Sequence, residues 1–446
     1  MMKRIKPVAA LLLSAIIFIS AIIPVSAQVT ATETPVNAEE TRLKWSLKIG
    51  SGYRDAPSVP TADGNFVFVM SQNKLYKISA DSGEIIQSVQ MASEPSFGYT
   101  PVTVADGKIF CPLENGIIQA FDRETMNSLW VSSDPLGGQA LTRAVFYDGL
   151  LYTGFWNDEE LDANFVCLDA QTGETKWSCT RKGGFYWSEC FVNGNFAVAG
   201  GDNGSTDNEA AGSLVCFNRL TGEITDTAEI IGDQRSGIAE DNGNLFFVTK
   251  AGYFCKIPLT SGGKFGNPEF LKLSGASTST PTVCKGRAYI GVQQKGFSGS
   301  INIIDINTMS VIRDIPSGGY PQSELLISTA YEDEGGKVLI YSTYNSSPGG
   351  ISVITDGANI DAPAAEQLFV PETAAQGYCI SPIAVGDDGT LFYKNDSGTV
   401  FALEKAEKKE PAEKSFFDRL ADWFKNIFTS IIGFFTSIIK IFTNGR

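Results

Sequence analysis

The sequence predicts an all-β protein, an eight-bladed β-propeller. Three observations predict it. A unit of four short apolar segments recurs eight times, an Asp-Gly or Asn-Gly pair follows the first segment in most units, and the last unit lacks a fourth segment that the N-terminal region supplies. Such a unit has the composition of one propeller blade, which is four short strands joined by tight turns.

The second unit shows the pattern most clearly. Short apolar segments lie within residues 102–121, and a fourth ends at Trp130. The pair Asp106-Gly107 separates the first two, as a hairpin with positive φ at its turn requires. Comparable units begin at Pro57, Pro101, Arg143, Cys190, Gly237, Pro281, Leu325 and Pro382. The unit at 325–370 is irregular, so a seven-bladed ring is the alternative.

The eighth unit stops after its third segment, at residues 400–403, and runs into a charged stretch. Residues 43–47 supply the missing strand, because Lys44-Trp45-Ser46 repeats the Lys-Trp-Ser that ends the third unit at Trp177. Pairing the two ends of the chain in one blade would close the ring and leave no open sheet edge.

The third unit ends in LDAQTGETKW at residues 168–177. This segment resembles the pyrroloquinoline-quinone (PQQ) repeat, and weaker copies occur at 122–130, 218–222 and 305–309. The resemblance covers about residues 43–404. It implies that the Asp, the Thr-Gly turn and the Trp dock each blade to the next. The residues in these roles are Asp169, Thr172, Gly173, Trp177, Trp130 and Trp45.

The resemblance is specific for fold and not for function. The family includes quinoprotein dehydrogenases, which carry an adjacent Cys-Cys disulfide against PQQ and a calcium site, and non-enzymatic members such as the lipoprotein of the outer-membrane barrel-assembly machinery. The eight cysteines here include no adjacent pair and no CxxC. We expect no catalytic residue and no cofactor, with PQQ as the alternative ligand.

The first 27 residues have the order of a secretory signal peptide: a basic start, an apolar run at 8–23 and a small-residue ending at Ala27. We expect cleavage after Ala27, with an uncleaved anchor as the alternative. Residues 28–42 would then be a linker ahead of the propeller at 43–404.

Composition excludes several functions. The formal charge is −15, which repels phosphate backbones and disfavours nucleic-acid binding. Histidine is absent, so the commonest general base and zinc ligand is missing.

Aromatic residues recur in the loops that join one blade to the next, and one lies in a long loop within blade three. Because first strands line the channel of a propeller, these rings would circle its mouth and bind a sugar, a planar ligand or a peptide. The alternative is that they pack loop against loop. The candidates are Tyr53, Tyr99, Trp156, Tyr186, Trp187, Tyr320 and Tyr378.

Acidic residues are grouped in the loops at 156–163 and 202–211. Asp202 and Asp207 are weak calcium candidates, since their spacing does not match a calcium loop and a solvated acidic surface explains them as well. We expect no metal.

The C-terminal region consists of a charged linker at 405–415 and an amphipathic segment at 416–446. The apolar arc of the predicted helix is wider than an ordinary surface helix needs. It favours a membrane interface, with a membrane span or a contact with the propeller as alternatives. The residues expected to contact lipid are Phe417, Trp423, Phe424, Phe428 and Phe435.

Together these features predict an exported, non-enzymatic propeller that is peripherally attached to the membrane. Its loop face would bind a protein or a cell-envelope polymer. The alternative is a small-molecule or quinone-binding propeller with redox activity.

Overall fold

A computed structural model describes residues 28–96 and 99–406. These residues form eight β-sheets arranged as the blades of a propeller, which confirms the predicted fold and the blade number. The predicted signal peptide and the predicted C-terminal helix lie outside the described residues. Within those residues, no helix has the length and apolar character to cross a membrane.

The strands of the first four blades follow, from the channel outward. Blade one contains β3 (Thr61–Asp63), β4 (Phe66–Ser71), β5 (Lys74–Ser79) and β6 (Ile85–Gln90). Blade two contains β7 (Thr103–Ala105), β8 (Lys108–Pro112), β9 (Ile117–Asp122) and β10 (Ser128–Ser133). Blade three contains β11 (Val145–Tyr147), β12 (Leu150–Gly154), β13 (Asp162–Asp169) and β14 (Thr175–Lys182). Blade four contains β15 (Phe191–Val192), β16 (Phe196–Gly200), β17 (Ala211–Asn218) and β18 (Ile224–Ile231).

The remaining blades follow the same order. Blade five contains β19 (Ala239–Asp241), β20 (Asn244–Val248), β21 (Tyr253–Pro258) and β22 (Glu269–Lys272). Blade six contains β23 (Thr282–Cys284), β24 (Arg287–Gln293), β25 (Gly299–Asp305) and β26 (Ser310–Ser317). Blade seven contains β27 (Leu326–Ser328), β28 (Val338–Tyr344), β29 (Gly350–Asp356) and β30 (Glu366–Phe369). Blade eight contains β31 (Ala384–Val385), β32 (Leu391–Asn395), β33 (Thr399–Lys405) and the early strand β2 (Thr41–Lys48). A short 3₁₀ helix, Thr373–Ala375, precedes blade eight.

An early strand and the last strand of the described chain pair in blade eight. Strand β2 is its outermost strand and runs antiparallel to β33, with Trp45 opposite Ala402. The segment 28–42, for which the sequence suggests a linker, instead contains the two-residue strand β1 (Val29–Thr30). β1 pairs in parallel with β27, the innermost strand of blade seven. Blade seven therefore has five strands.

Turn chemistry sets the hairpins between first and second strands. At Asp106-Gly107 both residues have positive φ, +49° and +69°. Asp148-Gly149 has the same signs, at +48° and +77°. Two successive positive φ values define a type I′ turn, whose twist matches that of the two strands it joins.

Core residues fill the space between neighbouring sheets. Between blades three and four, Phe165 stacks on Phe217 with ring centroids 5.6 Å apart, and Tyr152 packs in the same cluster. Cys167 belongs to this cluster, and Cys216 to the cluster between blades four and five. All eight cysteines are free thiols, six of them buried.

Trp45, Trp130 and Trp177 join blades in one common geometry. The indole of Trp177, on the outer strand of blade three, donates to the Arg219 carbonyl oxygen of blade four at 2.9 Å. The ring lies against Gly222, where an added Cβ would be 2.6 Å from it. Trp130 and Trp45 donate to the Ala170 and Ala80 carbonyls of their neighbouring blades.

The turn around Asp169 is built for this contact. The Asp169 carboxylate accepts the backbone N–H groups of Gln171 and Thr172, at 2.9 and 3.0 Å. These bonds shape the turn that brings Gly173, at φ +76°, beneath Trp130. A residue without a side chain is needed there because a Cβ would be 2.5 Å from the ring.

Candidate functional site

The first strands of the eight blades and the loops that precede them surround a central cavity of about 410 Å³. Its lining is largely apolar and hydroxylic, with residues such as Val59, Thr142 and Ser323. Arg143, Glu189 and Glu324 are the charged residues of the lining. All blades contribute to this one space, so it is the natural place for a ligand on the propeller axis.

Arg143 connects three blades across the cavity. Its Nε lies 3.0 and 2.9 Å from the two carboxylate oxygens of Glu189, and one of its terminal nitrogens lies 3.5 Å from Glu324. Burial raises the pKa of Glu324 to about 8, and Arg143 only partly offsets this. Burial acts to lower the pKa of Arg143, but the two carboxylates outweigh it and hold that pKa above its ordinary value. Arg143 therefore pairs with two carboxylates, those of Glu189 and Glu324.

Aromatic side chains continue from the cavity wall onto the loops of blades three and four. Trp187 lines the cavity and stacks on Tyr186, with centroids 5.2 Å apart. Tyr186 in turn meets Trp156 edge to face at 4.9 Å. Trp187 has φ +51°, a left-handed backbone that bulky residues rarely adopt. The buried Trp156 N–H has no hydrogen-bond acceptor within the described chain. Such local costs are concentrated at functional sites in many proteins.

Charged residues lie against the Tyr186 ring. The Arg235 guanidinium lies 4.4 Å from the centre of the Tyr186 ring and 2.8 Å from the buried carboxylate of Asp202. Lys250 lies 2.6 Å from Asp233 and 3.6 Å from Asp202. Asp202 therefore holds Arg235 against Tyr186, a cation–π contact that orients the ring.

Tyr53 and Tyr99 come from the loops that lead into blades one and two. Their rings are 5.8 Å apart, and Tyr99 lines the cavity. The buried Lys394 lies 4.3 Å from the Tyr99 ring centre. Burial raises the pKa of Tyr186, and the Arg235 guanidinium opposes that rise. We call Tyr53, Tyr99, Trp156, Tyr186 and Trp187 the aromatic mouth.

Tyr320 and Tyr378, the other two aromatic candidates, lie outside this group. The Tyr320 side chain is buried, and its hydroxyl bonds to the backbone N–H of Thr278 at 3.0 Å. Tyr378 is exposed and contacts Phe297, with centroids 6.1 Å apart. The packing alternative accounts for Tyr320, because its hydroxyl already accepts a hydrogen bond from the Thr278 backbone.

The weak calcium candidates have other partners. Asp202 contacts Arg235 and Lys250, which occupy the carboxylate oxygens that a calcium ion would need. Asp207 is exposed and accepts the backbone N–H of Glu209 at 3.0 Å. In the part of the chain that the structure describes, no three His, Cys, Asp or Glu residues are grouped to hold a metal ion.

Sequence reasoning missed the charged network. Arg143, Glu189 and Glu324 each lie two residues before the first strand of a blade, where two other units carry Pro101 and Pro382. A charged residue at that repeat position was the available signal, because the position faces the channel in every blade.

The residues of the cavity fit PQQ poorly. The quinone is a tricarboxylic acid, whereas the only cation of the lining is paired with two carboxylates. The adjacent cysteine pair of the dehydrogenases has no counterpart, since all eight cysteines are separate free thiols. A polyanion in this cavity would meet like charges in a site of low polarity, which is unfavourable.

Comparisons with known proteins agree with the fold. A family model described as outer membrane protein assembly factor BamB matches residues 31–265. Quinohemoprotein alcohol dehydrogenase ADHIIG from Pseudomonas putida HK5 is 13% identical, with a TM-score of 0.61, over 85% of this chain and 79% of that chain. BamB from Moraxella catarrhalis is 14% identical, with a TM-score of 0.55, over 83% of this chain and 98% of that chain.

A europium-containing methanol dehydrogenase is 10% identical, with a TM-score of 0.59, over 85% of this chain and 96% of that chain. A search of curated protein sequences finds no significant match. At these identities the structural likenesses show a shared fold, and function must be argued from the site.

Proposed function

Because this chain belongs to the PQQ-like propeller family whose model is described as outer membrane protein assembly factor BamB, we propose that it is an exported, non-enzymatic binding module of the cell envelope. It binds a protein partner through the aromatic mouth. The observation that carries the proposal is the contiguous run of rings from the cavity wall at Trp187 to the surface at Trp156.

The chemistry of the mouth suits a polypeptide. Tyr and Trp offer broad apolar faces with polar edges and lose little side-chain entropy on binding, which is why they dominate binding hot spots. Tyr53 leaves 53% of its surface exposed, whereas the charge of Arg235 beside Tyr186 is paired with the buried Asp202. The surrounding loop at 156–163 is rich in acids, so the combined surface favours a partner segment with apolar and basic residues.

Site-specific photo-crosslinking in cells tests the proposal. A photoreactive amino acid at Tyr53 is expected to give one discrete adduct, which Trp156→Ala weakens at least tenfold, the scale of a hot-spot loss. The matched control places the same amino acid at Leu220, which is 61% exposed at a turn between the third and fourth strands of blade four, and gives no such adduct.

The folded state of each variant is checked by its circular dichroism and melting temperature. Equal crosslinking at Tyr53 and Leu220, or an adduct unaffected by Trp156→Ala, would contradict the proposal. If the adduct is a cell-envelope polymer instead of a protein, the mouth binds but the proposed partner class is wrong.

The alternative function is quinone binding in the central cavity, with redox activity. It is supported by the cavity volume of about 410 Å³ and by the fold shared with quinohemoprotein dehydrogenases. The Glu189 and Glu324 carboxylates of the cavity oppose it, because PQQ is itself a tricarboxylic acid. Titration with PQQ, with and without calcium, would show quenching of tryptophan fluorescence and reduction of a dye if this alternative were right.

Membrane attachment belongs to the proposal as well. The apolar segment at 416–446 is the proposed contact with lipid, through residues such as Trp423 and Phe428. A chain that ends at Glu404 retains every strand of the propeller except the last residue of β33. We expect that chain to stay in the soluble fraction after centrifugation of lysed cells. If it pellets with membranes like the full chain, the C-terminal segment is not the anchor.

A further inference from the structure

The first described residues lie inside the propeller channel. β1 adds to the inner edge of blade seven, where the Gln28 carbonyl oxygen accepts the backbone N–H of Ile327 at 2.7 Å. Gln28 and Val29 are part of the lining of the central cavity. The N-terminal segment therefore occupies space on the axis as well as pairing with a sheet.

A run of hydrogen bonds fixes the path from the cavity to blade eight. The Thr30 carbonyl accepts the backbone N–H of Thr329 at 2.8 Å. The Tyr331 hydroxyl donates to the Thr34 carbonyl at 2.6 Å, and the Tyr341 hydroxyl donates to the Pro35 carbonyl at 2.7 Å. The segment is thus seated along blade seven, with both its direction and its register determined.

The direction has a topological consequence. β1 is parallel to β27, so residues 28–30 run from the end of the channel that holds the blade-joining loops toward the opposite end. Gln28 therefore lies at the loop end of the channel, where the first strands of the blades begin.

The cavity that Gln28 lines carries an unbalanced charge. Arg143 is shared between Glu189 and Glu324, and Glu324 is only 7% exposed. Burial raises the pKa of Glu324 to about 8, and its Oε1 atom has no hydrogen-bond partner within the described chain. Among the described residues, the lining thus holds one more acid than cations, and Gln28 lines the same cavity as Glu324.

We propose that the mature chain starts at Gln28 and that its α-ammonium group, seated in the central cavity, is the second cation that pairs with Glu324. Hydrolysis of the Ala27–Gln28 bond adds one water, leaving a carboxylate on Ala27 and the new amine on Gln28. The new ammonium group then completes the charge balance of the cavity. This inference depends on export and not on the partner proposed for the aromatic mouth.

The full-length precursor, expressed in an exporting host and purified, provides the test. Intact mass and N-terminal sequencing are expected to show a chain that begins at Gln28. The α-amine pKa, measured from competitive acetylation over a pH series, is expected to lie about one unit above the ordinary value near 8, which slows labelling about tenfold at neutral pH. Acid-unfolded protein that is labelled in denaturant provides the reference.

Matched variants separate the ion pair from folding. Glu324→Gln is expected to return the α-amine pKa to its ordinary value, whereas Glu366→Gln, an exposed position on the outer strand of the same blade, leaves it raised. If Glu324→Gln does not fold, the wild-type pKa alone still decides, because an ordinary value in the folded protein contradicts the pairing.

Three results would overturn the proposal. The first is a start site other than Gln28. The second is loss of ammonia by cyclisation of the N-terminal glutamine, which would leave no ammonium group. The third is a cleavage-blocked Ala27→Leu precursor whose segment 28–40 resists proteolysis as well as that of the mature protein. Enhanced proteolysis of that segment in the precursor supports the proposal.

Discussion

Gly222→Ala tests how the blades are held together. Gly222 has φ +72°, and a Cβ there would be 2.6 Å from the Trp177 ring. A non-glycine residue in left-handed backbone costs about 1–2 kcal/mol. Displacing the ring adds about 1–3 kcal/mol of overpacking and weakens the 2.9 Å bond from Trp177 to the Arg219 carbonyl, worth about 1 kcal/mol. The free energy of unfolding should therefore fall by about 3–6 kcal/mol.

Gly107→Ala is the matched control. Gly107 has a similar φ of +69°, but an added Cβ would have no atom within 4 Å. Only the backbone cost of about 1–2 kcal/mol applies to it. Urea-induced unfolding, followed by near-ultraviolet circular dichroism, gives the free energy of unfolding of both variants. Equal losses for the two would refute the idea that contact between Trp177 and the neighbouring turn stabilises the ring.

Three further predictions concern the cavity, its N-terminal segment and the buried thiols. Tyr341→Phe removes the hydroxyl that bonds to the N-terminal segment and should cost about 1–3 kcal/mol, with faster hydrogen exchange in residues 28–37; unchanged exchange there would contradict the seating of that segment. Arg143→Met leaves Glu189 and Glu324 without their shared cation and should lower the free energy of unfolding at pH 8 by up to about 3 kcal/mol. The expected loss is at the low end for a buried ion pair because 24% of the arginine side chain is exposed. An unchanged free energy of unfolding would show that the network does not stabilise the fold. Burial raises the pKa of Cys167 to about 12, so little of its thiol is ionised at pH 8. Its reaction with a disulfide reagent should therefore be slow at pH 8 and accelerate as the pH rises. A rapid reaction at pH 8 would contradict the burial of this thiol.

Much of the fold was predictable because it depends on local chemistry that repeats. Asp106-Gly107 sets a hairpin through its own turn chemistry, and the Thr-Gly turn at Gly173 leaves room for Trp130 of the preceding blade. The irregular seventh unit left the blade number open in the sequence. In the structure its strands are joined by longer loops than those of blade one but still pair, because each added loop residue costs little extra entropy.

The candidate site was predictable only in part. The recurring position of aromatic residues identified Tyr99 and Trp187, which line the channel, and Tyr186, which stacks on Trp187. The same pattern also selected Tyr320, whose hydroxyl is used within the fold. Spacing along a chain does not reveal whether a polar tip already has a partner.

By itself, the amino-acid sequence determined the all-β class and the four-stranded repeat unit, since both follow from turn chemistry and apolar patterning within about fifty residues. The resemblance of residues 168–177 to the PQQ repeat pointed to the tryptophans that join blades. Tertiary structure alone decided that Arg143, Glu189 and Glu324 share one cavity and that Gln28 lies beside them. These groups are separated by up to nearly three hundred residues, and only closure of the ring brings their positions together on the axis. The electrostatic interaction among these groups depends on their being close together in a poorly hydrated cavity, and no single segment of the sequence specifies that.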